Sequence, residues 1–182
     1  MIIEFLARLN KVLEENQLGR VIIVGGFATE LYSGGAYRTG DIDIVIDTVR
    51  VREAREVVDR MLNDVGATRS SGRVYESSYF GPIALDIVGY KYVGRVKRLR
   101  VGDYHVYVES PEDNIAINLN ACVYCNSDLD CEKAAAIMAA QWDFIDWGYL
   151  EDRCRGEGTL DKMTELRSRV ESRIRGLRRQ GS

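Results

Sequence analysis

The sequence predicts an α/β (α+β) unit over residues 1–108 followed by a helical region over residues 109–182, and three observations predict it. Apolar residues recur at helical spacing in residues 2–13 and again in 51–65. Short β-branched runs stand between them, at 21–24, 42–46 and 83–88. From Ser110-Pro111 onward the pattern is helical almost throughout. Helical and strand periods that alternate and then give way to helix alone describe a sheet-bearing unit with a helical tail.

The elements follow in order. Ile2, Ile3, Phe5, Leu6, Leu9, Val12 and Leu13 form one stripe, so the chain opens with an amphipathic helix that residues 16–19 terminate. Residues 21–24 are a short buried strand running into the glycine turn Gly25-Gly26. Phe27 to Tyr32 resumes a helical pattern, Ser33-Gly34-Gly35 breaks it, and residues 42–46 form the second strand. Val51, Ala54, Val57, Val58, Met61, Leu62 and Val65 make a second helical stripe stopped by Gly66. Residues 73–80 and 83–88 read as two strands joined near Gly81-Pro82, and residues 104–108 as another. Ser110-Pro111-Glu112-Asp113 is a helix start: Ser caps, Pro takes the first position, and two acids suit the positive end of the dipole. Breaks are expected near Asn126 and from Gly148 to Gly158.

A net charge of −3 argues against a protein that holds duplex nucleic acid mainly by neutralising phosphates. The first sixteen residues carry Glu4, Arg8, Lys11, Glu14 and Glu15, which is no signal-peptide pattern, and no run is apolar enough to cross a bilayer, so a cytoplasmic protein is expected. The basic residues are 20 Arg against 5 Lys, a balance that fits a heat-adapted protein. Cys122, Cys125, Cys131 and Cys154 are expected first as thiols, second with a disulfide such as Cys125–Cys131, and last as metal ligands, since only one short-spaced pair is present. The basic alternation Arg95, Lys97, Arg98, Arg100 and the C-terminal arginines, interleaved with Glu165 and Glu171, read as solvated faces.

Chemistry concentrates between Val24 and Ile46. Strand side chains repeat every two residues, so Asp41 and Asp43 share a face while Ile42, Ile44 and Ile46 point into the opposite layer. Adjacent carboxylates repel, and a divalent cation such as magnesium removes that penalty. Alone, such a pair reads as a solvated strand end. Gly25-Gly26, however, brings open backbone N–H groups and a helix N-terminus to a place where phosphate binds. A third acid, Asp86, interrupts the apolar run Ile83-Ala84-Leu85-Asp86-Ile87-Val88, where an unpaired charge is costly unless it ligates or pairs.

Val24-Gly25-Gly26, Asp41-Ile42-Asp43 and Leu85-Asp86-Ile87 together resemble the nucleotidyltransferases with a DNA polymerase β-like palm, in particular small prokaryotic stand-alone and toxin–antitoxin-associated members. The resemblance implies a mixed β-sheet palm over 1–108 and transfer of a nucleoside monophosphate from a triphosphate, ATP by preference, to a hydroxyl of RNA, protein or a small molecule. Asp41, Asp43 and Asp86 would be catalytic and hold Mg2+ or Mn2+; Gly25, Gly26, Arg38 and Thr39 would contact the nucleotide. It also implies a possible partner protein or homodimer, and no membrane. Relatives of this type often carry a basic residue where residues 114–120 have none. The alternative is a weak or inactive palm serving as a nucleotide-binding or toxin–antitoxin module. A phosphatase or nuclease is a third reading, against which the Gly-Gly turn argues.

Overall fold

The computed structural model describes residues 2–180, with the side chain of Gln180 outside the description. Its elements are α1 (Ile2–Glu15), β1 (Arg20–Val24), α2 (Gly25–Tyr32), β2 (Asp41–Asp47), α3 (Val51–Asp64), β3 (Thr68–Ser71), β4 (Val74–Glu76), β5 (Ala84–Gly89), β6 (Val96–Val101), β7 (Tyr104–Glu109), α4 (Pro111–Tyr124), α5 (Asp128–Ala140), α6 (Trp147–Glu157) and α7 (Leu160–Gln180). They form two compact units, residues 1–28 with 39–109, and residues 29–38 with 110–182. The α2 helix begins in the first and ends in the second. No described helix is long and apolar enough to cross a membrane.

The first unit is built on one mixed sheet of order β3-β4-β5-β2-β1-β7-β6. β1 runs antiparallel to β2 and parallel to β7, and β2 runs parallel to β5. Val21, Ile23, Ile42, Ile44, Ile46 and Leu85 are fully buried on one face, each contributing roughly 1.5–3 kcal/mol by burial. The α1 stripe lies against β1 and β7 and touches α3, and Phe5 meets Phe80 at 5.2 Å between ring centroids. Asn10, buried in α1, accepts the Val21 N–H at 2.8 Å and so fixes where β1 starts. The short strand β3 and the basic strand β6 escape the sequence reading: β3 is exposed throughout, β6 has no buried position, and neither shows a strict apolar alternation.

The second unit is helical. Ser110 caps α4 by accepting the Asp113 N–H at 3.1 Å, with Pro111 following it, as its sequence predicts. Asn126 breaks the helix at φ 52°. The expected break from Gly148 to Gly158 does not exist as such. Asp146 caps a helix at Tyr149 N–H, 3.1 Å away, and α6 runs through Gly148 and Gly156 until Gly158 ends it in the left-handed region. One good cap and the Glu112 carboxylate, which accepts the Asp146 N–H at 2.8 Å, outweigh the modest cost of two helical glycines. The cysteine expectation is also corrected: Cys122 and Cys131 form a disulfide, Cys125 is an exposed thiol and Cys154 a buried one. Cys122 points inward from α4 and Cys131 lies in the first turn of α5, whereas Cys125 caps the end of α4 and faces out. The arginines of α7 do sit on an exposed ladder of ion pairs, Arg167 to Glu151, Arg169 to Glu165 and Arg175 to Glu171.

Candidate active site

Parallel pairing of β2 with β5 sets Asp43 directly beside Asp86 and Asp41 beside Ala84. Because β2 side chains alternate, Asp41 and Asp43 share a face, and Asp86 stands on the same face across the ladder. The three carboxylates are graded from water to core: Asp41 is exposed, Asp43 half-buried and Asp86 buried. Leu85 and Ile87 fill the opposite layer, as the alternation of the run predicts.

The three acids act on one another electrostatically. The Asp43 carboxyl is held above its ordinary value, first by burial, then by the charges of Asp41 and Asp86, with Arg73 pulling partly the other way. Two neighbours already occupy the flanking acids. The Thr39 hydroxyl donates to Asp41 at 2.8 Å, and the Arg73 guanidinium lies 2.9 Å from Asp86. With those partners in place, no three acidic, cysteine or histidine side chains among the described residues stand in position to share an ion. The donor chemistry nevertheless suits a hard divalent cation: three carboxylates share one face, and the burial and mutual repulsion that raise Asp43 are both offset by positive charge among them.

β1 ends against this cluster. Val24 pairs with Asp43, so the chain turns into α2 beside the Asp43 carboxylate. Gly25 is at φ +67°, and a Cβ there would come 2.6 Å from Asp43 Oδ2. Only glycine accepts both the left-handed backbone and the close approach. A Cβ on Gly26 would meet the Thr39 hydroxyl at 2.8 Å. Asp41, Asp43, Asp86, Gly25, Gly26 and Thr39 are thus brought together within the first unit. Arg38 belongs to the second unit, exposed and 3.7 Å from Glu30.

Two residues were not singled out from the sequence. Glu109, fully buried at the end of β7, accepts the Gly25 N–H at 2.7 Å. Gly25 therefore spends its N–H on the protein rather than offering it to a phosphate. An acid ending an otherwise alternating strand was the available signal. Arg73, in the turn between β3 and β4, carries no sequence signal at all, because its partner Asp86 is fixed only by the pairing of β4 with β5. The region where a basic residue was expected is filled differently: Asn118 is buried and donates to the Asn114 carbonyl at 2.8 Å, while the Thr29 hydroxyl donates to the Asn114 side chain at 2.9 Å. An unpaired lysine in that neutral pocket would carry a heavy desolvation cost.

No family model matches the chain, and no curated protein matches it. Solved structures do. An antigenic nucleotidyltransferase-like protein from Paracoccidioides brasiliensis aligns over 92% of this chain and 91% of its own, at 17% identity and a TM-score of 0.59. The antibiotic-resistance factor ANT(2'')-Ia aligns over 98% of this chain and 96% of its own, at 17% identity and a TM-score of 0.46. JHP933 from Helicobacter pylori covers the same shares at 13% identity and 0.42. The first of these is close enough in shape to compare architectures, and it agrees with the mixed sheet described above: the chain shares the fold of that nucleotidyltransferase-like protein.

Proposed function

We propose that the chain transfers a nucleoside monophosphate from a nucleoside triphosphate to a hydroxyl of an acceptor, releasing pyrophosphate. One observation carries the reading: Asp43 and Asp86 sit side by side on parallel strands, with the Gly25 backbone pressed against Asp43, in a sheet of this fold. Asp41, Asp43 and Asp86 would hold Mg2+ or Mn2+. Bound there, such a cation supplies charge stabilisation at the phosphoryl oxygens and makes the acceptor hydroxyl more acidic.

The chain's own residues divide the remaining work. Glu109 anchors Gly25 and thereby holds the start of α2, whose first-turn N–H groups from Gly26 on would receive the phosphates. Thr39 orients Asp41 through its hydroxyl. Asp86, the most buried of the three, stands on β5, which β2 separates from the glycine turn at the end of β1, and there it can accept the proton of an incoming hydroxyl once Arg73 releases it.

The test is calorimetric titration of Mg2+ with a non-hydrolysable nucleoside triphosphate, on the natural chain and on Asp43→Asn. Tight binding by the former and loss of at least tenfold in the latter is expected, since a buried charge contact is worth about 1.4 kcal/mol or more. Equal affinities remove the metal assignment. The Arg73–Asp86 pair favours a second reading, a nucleotide-binding module without transfer, because Asp86 is already neutralised. Incubation with each labelled triphosphate, Mg2+ and a pool of cellular RNA and protein separates the two: binding without any labelled product selects the module.

A further inference from the structure

In the helical unit, α5 and α7 lie side by side and leave between them an open groove of about 520 Å3. Arg178, near the end of α7, pairs at 3.2 Å with Asp143, just past the end of α5, so the two helices run in the same direction. The groove is apolar and uneven. On the α5 wall stand the small side chains of Ala135 and Ala139; on the α7 wall stand Ile174 and Leu177. Leu177 is 70% exposed, one turn beyond the half-buried Ile174. Large apolar side chains left open in a row mark a contact surface. The two walls also differ in charge. α5 carries Asp128, Asp130 and Glu132 against Lys133, while α7 carries seven basic residues against three acidic ones. Glu132 and Arg173 line the groove itself, and both are exposed.

We propose that a second copy of the chain docks in this groove, as a two-fold dimer in which α7 of each copy lies against α5 of the other. An acidic wall beside a basic wall is complementary to an inverted copy of itself. The two-fold turns the helix pair end over end, so the C-terminal half of one α7 crosses the N-terminal half of the other α5. Arg173 of each copy then meets Glu132 of the other, and Ile174 and Leu177 seat over Ala135, whose small side chain leaves room for them. Every such contact occurs twice, which doubles its weight. The extent of the face suits a dimer of modest strength. α7 has 21 residues, about 30 Å of helix, and two helices abreast are roughly 20 Å wide. That gives roughly 600 Å2 per copy and about 1,200 Å2 in all, at the lower end for a specific interface. The dimer does not depend on the transferase reading, since none of its residues belongs to the acidic cluster.

The experiment is sedimentation velocity of the full chain over a concentration series from about 1 to 100 μM. The natural chain is expected to become a dimer within that range. Leu177→Glu, Glu132→Arg and Arg173→Glu, all at exposed positions, are expected to weaken association about tenfold or more while keeping the natural melting temperature. Ser172→Glu, on the outer side of α7, is expected to leave it unchanged. Charge reversal then separates pairing between copies from any other contact. An equimolar mixture of Glu132→Arg and Arg173→Glu should recover the dimer as a heterodimer, because each of its two contacts is again Arg against Glu, and the double variant should recover it alone. A natural chain that stays monomeric throughout overturns the proposal. So does a dimer that survives all three groove variants, and so does a mixture of the two charge variants that stays monomeric.

Discussion

Glu109 accepts the Gly25 N–H at 2.7 Å across 84 residues of chain, tying the end of β7 to the turn that opens α2. Removing that acceptor leaves a donor inside the protein. Glu109→Ala is expected to cost roughly 1–3 kcal/mol in urea unfolding, and Glu109→Gln distinctly less, because an amide oxygen still accepts. Indistinguishable unfolding midpoints for Ala and Gln would show that the bond contributes nothing.

Asp43 gives a stability effect with a definite sign. Its folded value lies above the ordinary 3.8, so below that range the carboxyl is protonated in both states and carries no penalty. As pH rises through the window between the ordinary and the raised value, the unfolded chain releases its proton first and stability falls; above the window the full penalty persists. Asp43→Asn should therefore melt higher than the natural chain at pH 7. Half-exposure and solvent screening keep the gain to roughly 1–2 °C. At pH 3 the gain should vanish. A variant that melts lower at pH 7 contradicts this account of burial and like charge at Asp43.

The two glycines of the turn should differ. Gly25→Ala forces a left-handed backbone and places a methyl 2.6 Å from Asp43 Oδ2, so a loss of about 1–3 kcal/mol is expected in chemical denaturation. Gly26→Ala keeps an ordinary backbone and meets the side chain of Thr39, its hydroxyl at 2.8 Å and its Cβ at 3.2 Å, so it strains the contact but not the turn and should cost less. Reversal of that order would mean that the turn is held in a different conformation.

The Cys122–Cys131 bridge closes a short loop at the α4–α5 junction, with a sequence separation of 9. Loop-closure entropy gives it about 2–3 kcal/mol. Thermal melts with and without reductant should show that loss in the natural chain and in Cys125→Ser. In Cys122→Ser the reductant should change nothing. A reductant effect that disappears in Cys125→Ser instead would reassign the pair.

The core of this arrangement was legible in the sequence because strand alternation is a local property. Asp41 and Asp43 had to share a face, and Asp86 had to stand apart from Leu85 and Ile87. What alternation does not carry is which strands are neighbours, and the parallel register that sets Asp43 beside Asp86 emerged only with the sheet. Arg73 was hidden for the same reason. Residues 29–38 join the helical unit through contacts such as the Gln141 amide on the Tyr32 carbonyl, 109 residues away, which no local pattern records. The α6 helix was missed because its two glycines read as a break, while the cap that starts it stands upstream at Asp146.

The pairing of β2 with β5 also bears on how the chain reaches its native state. The two aspartates come from segments some forty residues apart, so their repulsion is absent in the disordered chain and arises only as the ladder zips. Arg73 arrives on the hairpin that borders β5 and brings its own positive charge to that step. The acidic cluster thus comes into being together with the cation that offsets part of its charge.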